Sequence, residues 1–393
     1  MTNLKEYRQA TEITAFFMFS VFLVHPVLAP YMKLIGLSNF QTSLLFALFP
    51  LTMIFTSAIF GSLSDSIGRK KIIMFGILLE VVGMTLYIVG TPYLALVGRF
   101  LEALAFVAVT IVGLAKVQDA LDTKTRGKYS GISLTIMQVG KMVAPVIGGF
   151  LADYWFVKAP FIFSMFSLML MLWLISIHET MDVNHRFSRS EFNLLEKMRM
   201  FFSDRRLKGM GILGMVMHAS IPITLVVIPI YITETLSMQY RFVGYAFFAM
   251  QFFLLFQFYA GKLCDRFNKA KLVLLGVFIY GASIIFLAFT PNYTSLVAVL
   301  LVAGIGSAFW NVAAWSLMSD IGESAHKEGF VIGTYMSVAK IGSFLSFVGG
   351  GFIMKYFSAD VFMLLVGSMI LAGGVVASFF MFDKKGSARR TGR

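Results

Sequence analysis

The chain has 393 residues, 58% hydrophobic and 13% charged, with a formal net charge of +13. Soluble domains carry about a quarter charged residues, so this composition excludes an ordinary soluble fold. One cysteine, Cys264, excludes an internal disulfide and a cysteine-rich metal site, and basic loops on one side of a membrane account for the positive charge without nucleic acid.

Apolar stretches recur from Ile13 to Phe382, each near the ~20 residues that cross a bilayer. Twelve spans are predicted, at roughly 12–31, 41–60, 72–90, 94–117, 129–150, 160–178, 208–232, 242–260, 272–290, 294–318, 329–354 and 360–382, which makes an all-α membrane protein. The first stretch, Ile13 to Tyr31, is too long for a leader core and lacks a small-residue cleavage site, so it reads as a span. It ends in "HPVLAPY", His25 to Tyr31. After the second span comes "GSLSDSIGRKK", with Gly61, Asp65, Gly68, Arg69 and Lys70. Glu80 lies in the third span, and Arg99 and Glu102 in the fourth. The fifth holds Gln138, Gly140, Lys141, Pro145, Gly148 and Gly149.

The longest loop, 179–207, separates a bundle over 1–178 from a second over 208–393 that ends in a basic tail. Within the loop, Ser188 and Glu191 fit a capping box, and Phe192, Leu195, Met198 and Phe202 share one face of a short amphipathic helix resting on the membrane surface. His218 falls in the seventh span, Gly261, Asp265 and Arg266 in the loop after the eighth, Trp310 and Asn311 in the tenth, and Lys340 in the eleventh. Alternate loops and the two ends together hold 26 of the 33 Lys and Arg, against four in the intervening loops. That asymmetry predicts both termini in the cytoplasm and a multi-pass protein of the cell membrane.

The chain repeats itself. Gly61, Leu63, Asp65, Lys71 and Gly76 return as Gly261, Leu263, Asp265, Lys271 and Gly276. Gly140, Gly148 and Gly149 return as Gly342, Gly350 and Gly351. Two related six-helix halves in parallel orientation are a common transporter plan, with the binding site near the midplane between them.

The loop with Gly61, Leu63, Asp65, Gly68, Arg69 and Lys70 resembles the signature G-x-L-x-D-x-x-G-R-K/R of the major facilitator superfamily; the second copy departs, with Asn268 for the glycine. The resemblance covers essentially the whole chain and implies the twelve-helix major facilitator fold. It also implies a conformational latch at Gly61, Asp65, Gly68, Arg69 and Lys70, and at Gly261, Asp265 and Arg266, closing and opening as the cavity changes face. The run from Gly140 through Pro145 to Gly148–Gly149 resembles the antiporters' G-x-x-x-G-P-x-x-G-G, with Ala144 for one glycine, and implies a hinge there. "HPVLAPY" is similar to a P-x-L/V-x-P stretch of twelve-span drug–proton antiporters. Arg99-Phe-Leu-Glu102-Ala103 is similar to their R-x-x-Q-G, with glutamate for glutamine.

Ionisable residues inside spans are costly and usually functional. Glu102, Arg99, Glu80 and His25 are the expected proton-coupling groups, and Lys141, Lys340, His218, Trp310, Asn311 and Gln138 the expected substrate contacts. On the family's packing Glu102 and Lys141 both face the cavity and pair, so protonating Glu102 frees Lys141. Arg99, three residues before Glu102, is the rival partner. Glu80, on a helix peripheral in the family, alternatively buttresses the fourth helix.

No phosphate-binding loop is present and the histidines lack ligand spacing, which excludes an ATP pump, an enzyme and a metal site. No cofactor is expected. The expectation is a monomeric, proton-coupled exporter of small amphipathic or organic compounds. The alternatives are uptake or facilitated transport of an anionic metabolite, and lipid or lysolipid flipping.

Overall fold

The computed structural model describes residues 3–122, 126–177, 194–256, 266–324 and 328–382, and every regular element among them is helical. Helix α1 runs Leu4–Leu34, α2 Asn39–Ile67, α3 Arg69–Val89, α4 Pro92–Asp119, α5 Arg126–Tyr154 and α6 Ala159–Ile177. A short helix, Leu194–Phe201, precedes α7 Arg205–Thr235, α8 Tyr240–Phe256, α9 Lys269–Leu287, α10 Tyr293–Ser324, α11 Glu328–Tyr356 and α12 Ala359–Met381. Eleven of these helices are long and apolar enough to cross a bilayer, and Tyr240–Phe256 is a shorter apolar helix.

Local chemistry sets the helix ends. Ser38 and Gln41 form a reciprocal capping box that starts α2. Gly90, at φ +79°, ends α3 in the left-handed region, and Thr91 caps α4 directly afterwards. Asp204 and Asn268 accept backbone amides at the starts of α7 and α9. Prolines account for the breaks, because each removes a backbone donor. Helix α1 loosens at Leu23–Val24, ahead of Pro26. In α7 the chain widens to π-turns at Ile223–Val227 and Tyr231–Thr235, after Pro222 and Pro229.

The chain forms two compact units: Met1–Phe192 with Pro222–Phe248, and Asn193–Ile221 with Ala249–Arg393. The division thus falls inside α7, at Pro222. In the first unit α3 packs along α4 and α6, α4 along α1 and α2, and α1 along α5. In the second, α9 packs along α10 and α12, and α7 along α11 and α12. The repeat seen in sequence therefore returns as repeated packing. A Cβ on Gly76 of α3 would lie 2.8 Å from Ala108 of α4, and one on Gly276 of α9 would lie 2.5 Å from the Trp310 backbone nitrogen of α10. The same glycine permits the same close crossing in both units.

In the linker, Ser188, Glu191 and Phe192 lie outside the described residues, and so do the side chains of 194–197. Phe201, which the periodicity leaves off the apolar face, is fully buried. It lies with Phe202 against Gly211 of α7, because the helix stops at Phe201 and the chain turns there toward α7.

Candidate functional site

The charged centre of the first unit depends on how closely α3 and α4 approach. A Cβ on Gly83 would sit 3.2 Å from the Gly98 carbonyl oxygen, and one on Gly98 would sit 3.1 Å from that of Gly83. With the two backbones this near, long polar side chains on either side of the crossing meet. Glu80, Gly83 and Tyr87 recur at helical spacing along one face of α3, opposite Gly98 and Glu102 of α4.

Glu102 is fully buried and accepts two hydrogen bonds: from Arg99 Nη1 at 2.7 Å, and from the Tyr87 hydroxyl at 2.7 Å. The Arg99 guanidinium is also buried. It lies 4.5 and 4.6 Å from the ring centroids of Phe46 and Phe49 on α2, so the aromatic faces help hold the cation. The Tyr87 backbone carbonyl accepts from the Tyr31 hydroxyl of α1 at 2.8 Å, and both tyrosine rings rest on Phe161 of α6. Five helices thus fix one ion pair. Glu80 is fully buried as well, and neither of its carboxyl oxygens has a hydrogen-bond partner among the described residues.

This corrects the expected pairing of Glu102 with Lys141. The rival, Arg99, takes Glu102, because the Gly83–Gly98 crossing turns the carboxylate toward Tyr87 of α3 and not toward α5. Lys141 lies 5.7 Å from the Phe22 ring centroid and has no ion pair among the described residues. The Phe22 ring in turn lies 4.2 Å from His25. Lys141, Phe22 and His25 therefore form a second group where α5 meets the loosened turn of α1.

The glycines of α5 explain that meeting. A Cβ on Gly140 would lie 3.4 Å from the Ala15 carbonyl oxygen, and one on Gly148 would overlap that of Leu23. On the next face, a Cβ on Gly149 would lie 2.7 Å from the Tyr240 carbonyl oxygen, and one on Gly244 of α8 would lie 2.5 Å from that of Pro145. Asp153 completes this seam by accepting the Tyr240 and Arg241 backbone amides at 2.8 and 2.9 Å. A carboxylate suits the start of a helix, where free amides and the helix dipole both favour negative charge.

In the second unit, His218 Nδ1 lies 3.0 Å from the Gly214 carbonyl, and Lys340 is near enough to act on the histidine electrostatically. Asn311 donates to the Ser307 carbonyl at 2.9 Å. Trp310 is buried at the α9–α10 crossing. Gln138 of the first unit is half-buried. The expected substrate contacts thus do not gather on one element.

At the ends of the helices, Arg69 at the start of α3 pairs with Asp119 at the end of α4, and Lys269 at the start of α9 pairs with Asp320 of α10 at 2.6 Å. Gly68, at φ +107°, makes the turn between α2 and α3. Gly61 faces open space, Lys70 is half-buried and Arg266 is exposed. The Asp65 side chain, and Gly261 and Asp265, lie outside the described residues.

Reading the sequence missed Tyr87, Tyr31, Asp153, Asp119 and Asp320. The last two carry a signal: Asp119 and Asp320 stand at matching places in the repeat, as do Arg69 and Lys269.

The Major Facilitator Superfamily model matches residues 13–250 and 210–393. An uncharacterized MFS-type transporter of Methanocaldococcus jannaschii is 28% identical over 370 residues, covering 89% of this chain and 93% of the relative. The quinolone resistance protein NorA of Staphylococcus aureus is 25% identical over 365 residues, covering 90% of this chain and 91% of NorA. Among solved structures, the nucleoside transporter NupG superposes with a TM-score of 0.75 at 14% identity, over 96% of this chain and 100% of that one. The D-xylose–proton symporter gives 0.74 at 15% identity, over 98% and 99%. At these identities the structures share the fold.

Proposed function

The chain belongs to the major facilitator superfamily, and from that premise we propose that it is a secondary transporter exporting small amphipathic organic compounds in exchange for protons. The observation that carries this reading is the Arg99–Glu102 pair sealed inside the first unit with Tyr87 and Glu80. Two buried carboxyls beside one cation form a group whose charge changes by a single proton. The likeness to NorA supports export and a quinolone-like substrate class. The basic loops support a reading with both termini in the cytoplasm.

In this reading two six-helix halves, over 1–178 and 208–393 and joined by a cytoplasmic linker, rock about a midplane site. Gly140, Pro145, Gly148 and Gly149 form the hinge against α1 and α8. The Arg69–Asp119 and Lys269–Asp320 pairs belong to the cytoplasmic latches. Lys141, Lys340, His218, Trp310, Asn311 and Gln138 contact substrate. Lys141, beside Phe22 and without a carboxylate partner among the described residues, favours a second reading: the substrate is an aromatic or amphipathic anion, taken up and not expelled.

Purified protein in liposomes tests the choice. With the lumen acidified, a fluorescent quinolone accumulates inside, and collapsing the gradient with a protonophore releases it. Accumulation that ignores the gradient removes proton coupling. Accumulation only with the outside acidified makes the protein a symporter.

A further inference from the structure

The first unit holds two fully buried carboxyls, Glu80 and Glu102, and no other carboxyl among the described residues is fully buried. Their situations differ. Both oxygens of Glu102 are engaged, one by the Arg99 guanidinium and one by the Tyr87 hydroxyl, and both donors favour an ionised acceptor. Neither oxygen of Glu80 has a partner among the described residues. A buried carboxyl without hydrogen-bond donors is better accommodated as the neutral acid than as the bare anion.

The charged and titratable groups that face Glu80 are few. Helix α4 presents Arg99 and Glu102, and α3 itself presents Tyr87. Helix α6, which also packs along α3, carries no titratable residue. Helix α2 carries only Asp65, at its far end. The local inventory is therefore one fixed cation and two carboxyls. It balances with one proton present and is left with a net negative charge without it.

Resting on the proton-coupled reading above, we propose that this cluster is a one-proton site: Glu80 holds the exchangeable proton, while Glu102 stays ionised as the standing partner of Arg99. Loading adds a water-borne proton to a Glu80 carboxylate oxygen. Release breaks that O–H bond and returns the proton to water reaching the cluster in the opposite conformation. Arg99 is then shared between two carboxylates, and its contacts to Glu102, Phe46 and Phe49 must loosen. The proton on α3 thereby controls where α4 and α2 hold their cation. Glu80 is a positioning residue, acting through Arg99.

The site is testable without a substrate. Purified full-length protein in nanodiscs is followed by difference infrared spectroscopy at neutral pH with carboxyl-labelled glutamate. The wild type shows the carbonyl stretch of a protonated, weakly hydrogen-bonded glutamic acid, and Glu80→Gln removes it. Glu80→Asp decides the matter if Glu80→Gln does not fold: it takes the band out of the labelled glutamate signal and returns it as that of an unlabelled aspartic acid. A wild type without the band, or a band that survives either substitution, overturns the assignment. An intact band in a protein that shows no proton-driven transport would instead overturn the transport reading and leave Glu80 as a buried proton site.

Discussion

The α3–α4 crossing of the first unit and the α9–α10 crossing of the second are the same construction with different contents. Gly76 and Gly276 let the helices touch in each. Where the first crossing holds Glu80, Arg99 and Glu102, the corresponding places in the second hold Tyr280, Leu300 and Ala303, all buried. There the polar link is neutral: the Tyr280 and Ser220 hydroxyls lie 2.8 Å apart. The second unit builds the same helix crossing without a buried charge, so the fold does not require the buried charges of the first. Buried ion pairs contribute little net stability compared with apolar residues of similar volume. A pair kept in one half and dispensed with in its twin points to function.

The most severe way to break this contrast is to write one residue of the second crossing into the first. Arg99→Leu leaves Glu102 buried with only a tyrosine donor, and removing one partner of a buried pair costs about 3–5 kcal/mol. The variant's thermal unfolding midpoint in detergent falls sharply. Arg99→Leu with Glu102→Ala copies the second crossing at both positions and recovers more than half of that loss, because no unpaired charge remains. If the double variant is no more stable than the single one, charge imbalance is not the cause and the two crossings are not interchangeable.

A smaller effect sharpens the comparison. Tyr87→Phe removes a hydrogen bond to a carboxylate, worth about 1.5–3 kcal/mol, whereas Tyr280→Phe removes a neutral hydroxyl contact worth about 0.5–1.5 kcal/mol. Chemical denaturation of the two variants in matched detergent should rank them in that order. Equal losses would mean that Glu102 is not carrying charge.

The sequence made the architecture plain because its signals are local and repeated: apolar runs of bilayer length, basic loops on alternate sides, and glycines returning some two hundred positions later. It also exposed the costly residues, since a glutamate amid leucines is conspicuous whatever it touches. Partner choice was not legible. Glu102 lies three residues from Arg99 and on a different helix from Lys141, and sequence spacing cannot weigh those two. The decision rests on the Gly83–Gly98 approach, which brings the Tyr87 hydroxyl to the carboxylate. Tyr87 reads as one more apolar-span aromatic. Asp153 reads as a loop residue because its partners are backbone amides of α8, which have no sequence identity to recognise.

The smallest expected effect concerns the two helix-end pairs, where the halves are alike and not opposed. Arg69–Asp119 and Lys269–Asp320 join the same helix ends in each unit, with side-chain exposures of 14% and 33% against 25% and 54%. Ion pairs this open to solvent contribute about 0–1 kcal/mol, and salt screens them within roughly 8–10 Å. Double-mutant cycles, Arg69→Ala with Asp119→Ala and Lys269→Ala with Asp320→Ala, should give coupling energies in that range. The first should be slightly the larger, because it is better shielded and uses a guanidinium, and both should shrink as salt is raised. A coupling of several kcal/mol at either end would mean that the pair is not the exposed contact described above.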